Sequence, residues 1–450
     1  DGMRAMATDF YAKLFSSEGS RDTDKMLRNI EQAVTEDMNV KLCEPFTDLE
    51  IEKALFQMGP TKSPGSDRLP AMFYQRHWPM MKDDVCVAVR DFLAGKATPN
   101  GFNDIIIVMI PKVNSPELQS QFRPISLRNV LYKIAAKALA NRLKVVLPFM
   151  ISEEQSTFVP GRLLTDNVLV AYECVHAIRI RKRRKPLCAV KLDMLKAYDR
   201  VEWDFPEQML MKFGFSSHWT EMVMRCVKTA KFCVKMNGGF SNGFTPSRGL
   251  RQGDPLSPYL FLFCVEGFSA LLRKAQRDKE LKGVSFGSNG PTVTHLLFVD
   301  DSVVFLEGTQ QNLASLRSIL QDYEVASGQK VNLQKSAIFF GKGSTEESKK
   351  DLKLVIGTDT EALSERYLGL PTVVGRSKDG MFKYVCESAR GKVAGWKGQG
   401  LSKTAREVLV KSGLQSTPTF TMSCFHLTKK ICGNRSSISS NFWWGTVYGQ

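Results

Sequence analysis

The chain has 450 residues and carries 62 Lys+Arg against 46 Asp+Glu, a formal net charge of +16. With 43% hydrophobic and 24% charged residues it can bury a large core, which excludes global disorder, and its length predicts about three domains or lobes. The longest apolar runs, at 105–110 and 259–265, fall far short of the roughly 20 residues of a membrane span, so no membrane role is expected. Ten scattered cysteines without a C-x-x-C pair point away from a disulfide framework or zinc ribbon and towards a reduced, intracellular setting. A charge of +16 opposes compaction by self-repulsion. A polyanionic partner explains it, nucleic acid first and anionic membrane second. The chain begins at Asp1 and stops six residues after Phe442-Trp443-Trp444, so both ends are expected to be cuts in a longer polypeptide.

In chain order, residues 105–110 predict a strand. Leu127, Val130, Leu131, Ile134, Ala138, Leu139, Leu143, Val146 and Leu147 recur at helical spacing until Pro148 ends the run. Asp166 is expected to cap a second helix through about residue 179. The basic run 179–185, followed by Pro186, predicts a solvated loop, with a nuclear-localisation patch as the alternative. Residues 187–192 predict a strand, and Ser257 with Pro258 opens a helix through about residue 274. Strands at 296–299 and 303–306 come next, then a helix on Leu313, Leu316, Ile319, Leu320 and Tyr323 that stops at Gly328. Helices and strands mix without strict alternation, which favours an α+β fold over a doubly wound sheet.

The segment 296–306 bears the chemistry. Two apolar strands flank Asp300 and Asp301, as at the tip of a hairpin; an ordinary turn is the competing explanation. Asp193 ends a third apolar strand, where packing does not need a polar residue. Side by side in one sheet, these strand ends converge three carboxylates. Such oxygens suit Mg²⁺, and two ions about 3.5–4 Å apart serve in-line phosphoryl displacement. A basic chain with an acidic centre is a candidate for nucleotidyl transfer or for a nuclease.

Seven motifs then appear in order: I-P-K-V at 110–113, F-R-P-I-S-L at 122–127, F-V-P-G-R at 158–162, L-D-M-L-K-A-Y-D at 192–199, R-G-L-R-Q-G-D-P-L-S-P at 248–258, F-V-D-D at 298–301 and Y-L-G-L-P at 367–371. From about residue 49 to 444 the chain closely resembles the reverse transcriptase domain of non-LTR (LINE-type) retrotransposons, of the kind abundant in plant genomes. The resemblance implies a right-hand polymerase: fingers, a palm whose antiparallel sheet carries the Asp-Asp hairpin, and a helical thumb. It divides the chain into a helical N-terminal extension at 1–48, an N-terminal extension of the fingers at 49–104, the reverse transcriptase domain at 105–373 (fingers to about 187, palm from about 188) and a thumb at 374–450, truncated at its C-terminus.

The resemblance also assigns residues. Asp193, Asp300 and Asp301 are the expected ligands of two Mg²⁺ ions, with Mn²⁺ as a possible substitute. Met194 and Leu195 are expected to meet the triphosphate with backbone groups, and Tyr198 to exclude a ribose 2′-hydroxyl. Lys112 and Arg123 are expected to clamp the triphosphate, and Gln252 with Gly253 to line the nascent base pair. Arg251 is given a template phosphate, Lys335 the leaving pyrophosphate with Lys330 as its competitor, and Leu368 and Gly369 the primer grip. Basic residues of the last segment, among them Lys403, Arg406 and Lys411, are expected to hold phosphates, while Trp396 is either core or a stacking residue. K-S-P-G-S-D at 62–67 resembles the family's template-contacting loop. The partners implied are an RNA template, a DNA primer or target, and dNTPs, in the nucleus.

The chain departs from the family pattern in several places. Arg68 replaces a Gly, Val299 a smaller Ala, and Leu195 a Ser, while Pro206 interrupts the usual W-D-F-x-E. The alternatives are a catalytically dead remnant that only binds nucleic acid, and a two-metal nuclease, in which the 248–258 loop has no role.

Overall fold

The computed structural model describes residues 2–19, 22–96, 98, 100–181, 185–287, 290–361, 366–371, 378–396 and 400–445. Residues 182–184 of the basic run and 372–377, which span the expected 373/374 boundary, lie outside these. The strands that matter are β1 (Asp104–Pro111), β2 (Phe122–Arg128), β3 (Leu187–Leu192), β4 (Lys231–Met236), β5 (Gly239–Phe240), β6 (His295–Phe298), β7 (Asp301–Glu307) and β8 (Ala337–Phe340). They form two four-stranded sheets, ordered β2-β1-β4-β5 and β8-β3-β7-β6. In the first, β1 pairs antiparallel with β2 and parallel with β4; in the second every pairing is antiparallel. The chain is a mixed helix-and-sheet fold, as its sequence predicts.

The second sheet is covered on both faces. Cys188, Val190 and Leu192 of β3 join the main core, while Leu187 and Ala189 join a smaller cluster on the opposite side. This alternation explains why β3 reads as an apolar run interrupted only by Lys191: a strand buried on both faces has little polar side to show. Before the helices that cover it come α1 (Gly2–Leu14), α2 (Asp48–Phe56), α3 (Trp78–Ala94) and α4 (Val130–Val146). α5 (Leu164–Ile180) supplies the smaller cluster. After α6 (Ser217–Lys228), α7 (Ser257–Arg277) fills the main core, with 16 of its 21 residues buried, Glu266 and Ser269 among them. Pro258 lies in its first turn. α8 (Gln310–Ser327) is capped by the Thr309 hydroxyl and closed by Gly328 at φ 76°.

Two boundaries differ from the sequence expectation. The helix expected from Leu127 begins at Val130, because Ile125, Ser126, Leu127 and Arg128 continue β2 against β1. Asp166 lies in the first turn of α5 and does not cap it; Leu163 holds the cap position without a side-chain bond. In both cases the sheet or the preceding loop set the helix start, not the capping residue.

One buried joint ties the first sheet to the 248–258 loop. Arg128, at the end of β2, places Nη1 2.7 Å from Oδ2 of Asp254, and both side chains are 2% exposed. The Tyr132 hydroxyl of α4 donates to the same oxygen at 3.1 Å, and Ser257 of α7 donates at 3.2 Å. Burial pushes the Asp254 carboxyl up, but the Arg128 and Arg251 charges hold it below the usual carboxylate range.

The 62–67 loop docks on the start of α4. A Cβ at Gly65 would lie 2.2 Å from the Asn129 backbone nitrogen, so only glycine fits. Arg68 sits at φ 60°, a left-handed conformation that a glycine adopts at no steric cost. At the C-terminal end, α9 (Lys383–Trp396), α10 (Lys403–Leu409) and α11 (Lys429–Trp444) pack with intervening turns around a separate core of Phe382, Ala389, Val393, Leu414, Ile431 and Ile438. Trp396 belongs to it, its ring 5.3 Å from Phe442.

Removing one partner of a buried ion pair leaves the other uncompensated. Asp254→Ala is therefore expected to cost about 3–5 kcal/mol of stability in chemical denaturation. A loss under about 1 kcal/mol would show that the joint does not hold the loop to the first sheet.

Candidate active site

The antiparallel register brings the acids together. Leu192 pairs with Ser302, so Asp193 leaves β3 beside the start of β7. Phe298 pairs with Asp301, which leaves Val299 and Asp300 as a two-residue turn between β6 and β7. Val299 has φ 55°, a conformation costly for a β-branched side chain and characteristic of functional turns. Asp193 is held from three sides: its N–H donates to Ser336 Oγ at 3.1 Å, its carbonyl accepts from the Asn332 N–H at 2.8 Å, and its Oδ2 accepts from Asn332 Nδ2 at 3.2 Å. Asp300 is exposed and Asp301 half-buried. Burial raises the Asp301 carboxyl, and the charges of Asp300 and Asp193 raise it further; Lys191, 3.9 Å away, pulls the other way.

Among the described residues, no three Asp, Glu, His or Cys side chains stand close enough to hold an ion by themselves. The donor set nevertheless fits a hard divalent cation. Mg²⁺ is commonly held by one or two carboxylates with substrate phosphates completing its shell. The mutual repulsion registered at Asp301 is the charge such a cation relieves.

The Tyr198 ring stacks on Phe261, centroids 4.6 Å apart at 15°. Burial raises its hydroxyl pKa, with the Asp300 charge adding to it. Met194 is buried and bridges to Val331, while Leu195 is exposed and its N–H donates to the Lys330 carbonyl at 2.8 Å. Lys112 and Arg123 are exposed at the outer end of the β1–β2 pair. Burial lowers the Lys112 pKa, as do the charges of Arg123 and Lys335, which brings those three cations into one neighbourhood. Lys335 is exposed, whereas Lys330 lies 3.9 Å from Glu18. Gln252 is half-buried and Gly253 exposed, with φ 91° at Gly253. Leu368 and Gly369 form the turn of a small hairpin (Arg366–Tyr367 with Leu370–Pro371), both with positive φ. Tyr367 is buried against the second sheet, close enough for the Asp301 charge to raise its hydroxyl pKa further than burial alone.

Arg251 is a correction. Expected at the template, it is 2% exposed and faces the interior. Its guanidinium donates to the Cys226 carbonyl at 2.6 Å and to the Val227 carbonyl, satisfying the C-terminal end of α6. Withdrawing it would leave both buried carbonyls without a donor, which holds it away from a phosphate.

Residues 110–372 match the family model described as reverse transcriptase (RNA-dependent DNA polymerase), more than half of the chain. The chain belongs to the reverse transcriptase family. Its domain is of the type found in non-LTR retrotransposons. It is 30% identical over 338 residues to the transposon TX1 uncharacterized 149 kDa protein of Xenopus laevis, a match covering 75% of this chain and 25% of that protein. A Pol polyprotein from the type-1 retrotransposable element R2 of Popillia japonica is 25% identical over 303 residues, covering 65% of this chain and 39% of the relative. The corresponding protein of the type-2 element R2DM in Drosophila melanogaster is 28% identical over 228 residues, 51% of this chain and 20% of the relative. The chain thus spans only about a fifth to two-fifths of the length of these relatives.

Three residues of this reverse transcriptase domain escaped the sequence assignment. Asn332 and Ser336 orient Asp193, but nothing in their spacing announces it. Asp199, inside the L-D-M-L-K-A-Y-D motif, is 3% exposed. Burial raises its carboxyl to about 6, with Lys196 and Lys112 acting in the opposite direction. It is a buried counter-charge to Lys112, one of the cations expected at the triphosphate, and only the fold reveals its burial.

Folded Asp199 keeps its proton up to about pH 6, whereas the unfolded chain releases it near 3.8. Between those values the folded state binds more protons, so this group lowers stability as pH rises through the window and leaves it lower above. Asp199→Asn is expected to remove that contribution, so the melting-temperature difference between variant and wild type grows in favour of the variant from about pH 4 to 6. A pH-independent difference would show that Asp199 does not titrate there.

Proposed function

We propose that the chain is an RNA-directed DNA polymerase that adds dNTPs to a primer 3′-hydroxyl on an RNA template. The observation that carries this is the meeting of Asp193 with Asp300 and Asp301 at the ends of paired strands, where Asp301 feels both other charges. All three lie inside the family match. Asp193, Asp300 and Asp301 would hold two Mg²⁺ ions, or Mn²⁺ in their place, which when bound favour the ionised primer hydroxyl and offset charge on the triphosphate.

The 3′-oxygen forms a bond to the α-phosphorus as the bond between that phosphorus and the α–β bridging oxygen breaks, and pyrophosphate leaves. Lys112 and Arg123 orient the triphosphate as charge moves onto it. Lys335, beside Lys112, gives a proton to the departing pyrophosphate. The backbones of Met194 and Leu195 face the triphosphate, and Gln252 with Gly253 borders the base pair. The Tyr198 ring, braced by Phe261, occupies the space a 2′-hydroxyl would need. Leu368 and Gly369 steady the primer strand.

In the same proposal, residues 1–48 are a helical linker or N-terminal extension, 49–104 extend the fingers, 105–187 form the fingers, 188–373 the palm and 374–450 the thumb. The separate core under α9 and α11 supports an independent last lobe. Among the described residues no helix is long and apolar enough to cross a membrane. RNA, a DNA primer or target, and a nuclear setting complete the proposal.

On a poly(rA)–oligo(dT) template with Mg²⁺, wild-type chain is expected to incorporate dTTP. Asp193→Asn and Asp300→Asn should each reduce the rate by about 10³-fold or more, as expected where the lost group stabilises transition-state charge. Activity that survives in Asp300→Asn would refute the site, and an inert wild type would refute the function. Tyr198→Ala should raise the use of rNTPs relative to dNTPs by about tenfold or more. Unchanged sugar discrimination would remove the gate role from Tyr198.

A further inference from the structure

The nucleotide loop does not stand on the family-matched segment alone. Its four successive amides at 247–250 are all engaged. The N–H groups of Ser247 and Arg248 both donate to the Phe15 carbonyl, at 2.8 and 3.1 Å. Those of Gly249 and Leu250 donate to the carbonyls of Val201 and Tyr198, at 2.8 and 2.7 Å. The loop is therefore clamped between an N-terminal residue on one side and the segment that carries Tyr198 on the other.

Side chains repeat the pattern. The Phe15 ring is 4% exposed and packs on Gly249 so closely that a Cβ there would lie 2.7 Å from it. Gly249, at φ 92°, is thus required by both its conformation and this ring. The Arg248 guanidinium, 3% exposed, donates to the Leu14 carbonyl at 2.9 Å, to Glu18 at 3.1 Å and to the buried Glu202 at 3.2 Å. Earlier in the same segment, the Phe10 ring lies 4.3 Å from the Lys196 ammonium, in the motif that leads from Asp193 to Tyr198.

We propose that residues 10–18, outside the matched 110–372, are a positioning element of the nucleotide site, with Phe15 as the residue that sets the height of the 248–253 loop against Tyr198. The inference rests on the polymerase reading for its kinetic consequence, but its structural half does not. Phe15 touches no substrate. It acts through the loop backbone, so its loss alters how Gln252 and Gly253 meet the nucleotide and leaves the chemistry of the acids in place.

The test uses the full chain with Phe15→Ala, the bulk-conserving Phe15→Leu, and Glu18→Gln, whose side chain is exposed and whose loss spares the packing. Hydrogen exchange over 247–253 needs no activity. Phe15→Ala should exchange faster there than wild type at unchanged exchange in β3 and β7, and Phe15→Leu should restore protection. In dTTP extension, Phe15→Ala should raise KM for the nucleotide about tenfold, the scale of about one hydrogen bond, with template–primer affinity unchanged, and Glu18→Gln should shift it in the same direction by less. A merely structural role would lower the melting temperature and the active fraction while leaving KM for dTTP as in wild type. That result, or wild-type exchange over 247–253 in Phe15→Ala, overturns the inference. An inert wild-type chain would overturn the polymerase reading separately, and the exchange arm would still decide whether Phe15 positions the loop.

Discussion

The buried pair of Arg128 and Asp254 is the constraint on which the rest depends. Neither charge has water to solvate it, so each exists only because the other is there. Arg128 ends β2, Asp254 lies in the 248–258 loop, and the Tyr132 and Ser257 hydroxyls bring α4 and α7 to the same carboxylate. The first sheet, two helices and the loop are thus referred to one point. Arg251 adds to the arrangement by satisfying the end of α6 from the same loop. A loop held at this many places delivers Gln252 and Gly253 at its surface without freedom to wander.

The acids are organised by a different principle. β3 lies between β7 and β8 with apolar material on both faces, so its register is set by packing, and a slip by one residue would exchange the two faces. Asp193 takes its place from that register, as does its distance from the β6–β7 tip. The chain's positive charge is an average; locally, three carboxylates gather at the strand ends while Lys112, Arg123 and Lys335 share a neighbourhood of their own. Separation of charge by sign, rather than net charge, is what prepares a site for a phosphate chain and a metal at once.

How much of this was legible in the sequence differed by kind of information. The hairpin around Asp300 and Asp301 was legible because two apolar runs and a polar tip are a local pattern. The strand ending at Asp193 was legible for the same reason. The start of α4 was not: Leu127 has helical spacing with Val130, Leu131 and Ile134, yet pairs with Ile106 across the sheet, and pairing is a long-range fact. Arg251 misled because a cation in a loop of a basic protein reads as a phosphate ligand, while its real acceptors, two carbonyls at the end of α6, lie more than twenty residues away. Asp199 and Asn332 were invisible as site residues for a related reason: burial and second-partner geometry leave no periodic trace. Where the chain left several readings open, as for Trp396, packing against Phe442 and Gly413 decided for core.

Arg68 and Val299 share a property that reaches beyond their own loops. Each carries a side chain at a positive φ, where the backbone is easiest for glycine and, at Val299, hardest for a branched residue. Each therefore costs about 1–2 kcal/mol in local strain. Neither cost dismantles its loop: Asn129 grips one, and the β3–β7–β6 ladder grips the other. The scaffold must then hold a surplus of stability at these places, large enough to absorb an unfavourable substitution. That surplus is a form of mutational tolerance, and it is finite. Sequence drift can proceed around the acids for as long as the ladders outweigh the strain, and the next costly residue in either loop draws on less than the last one did.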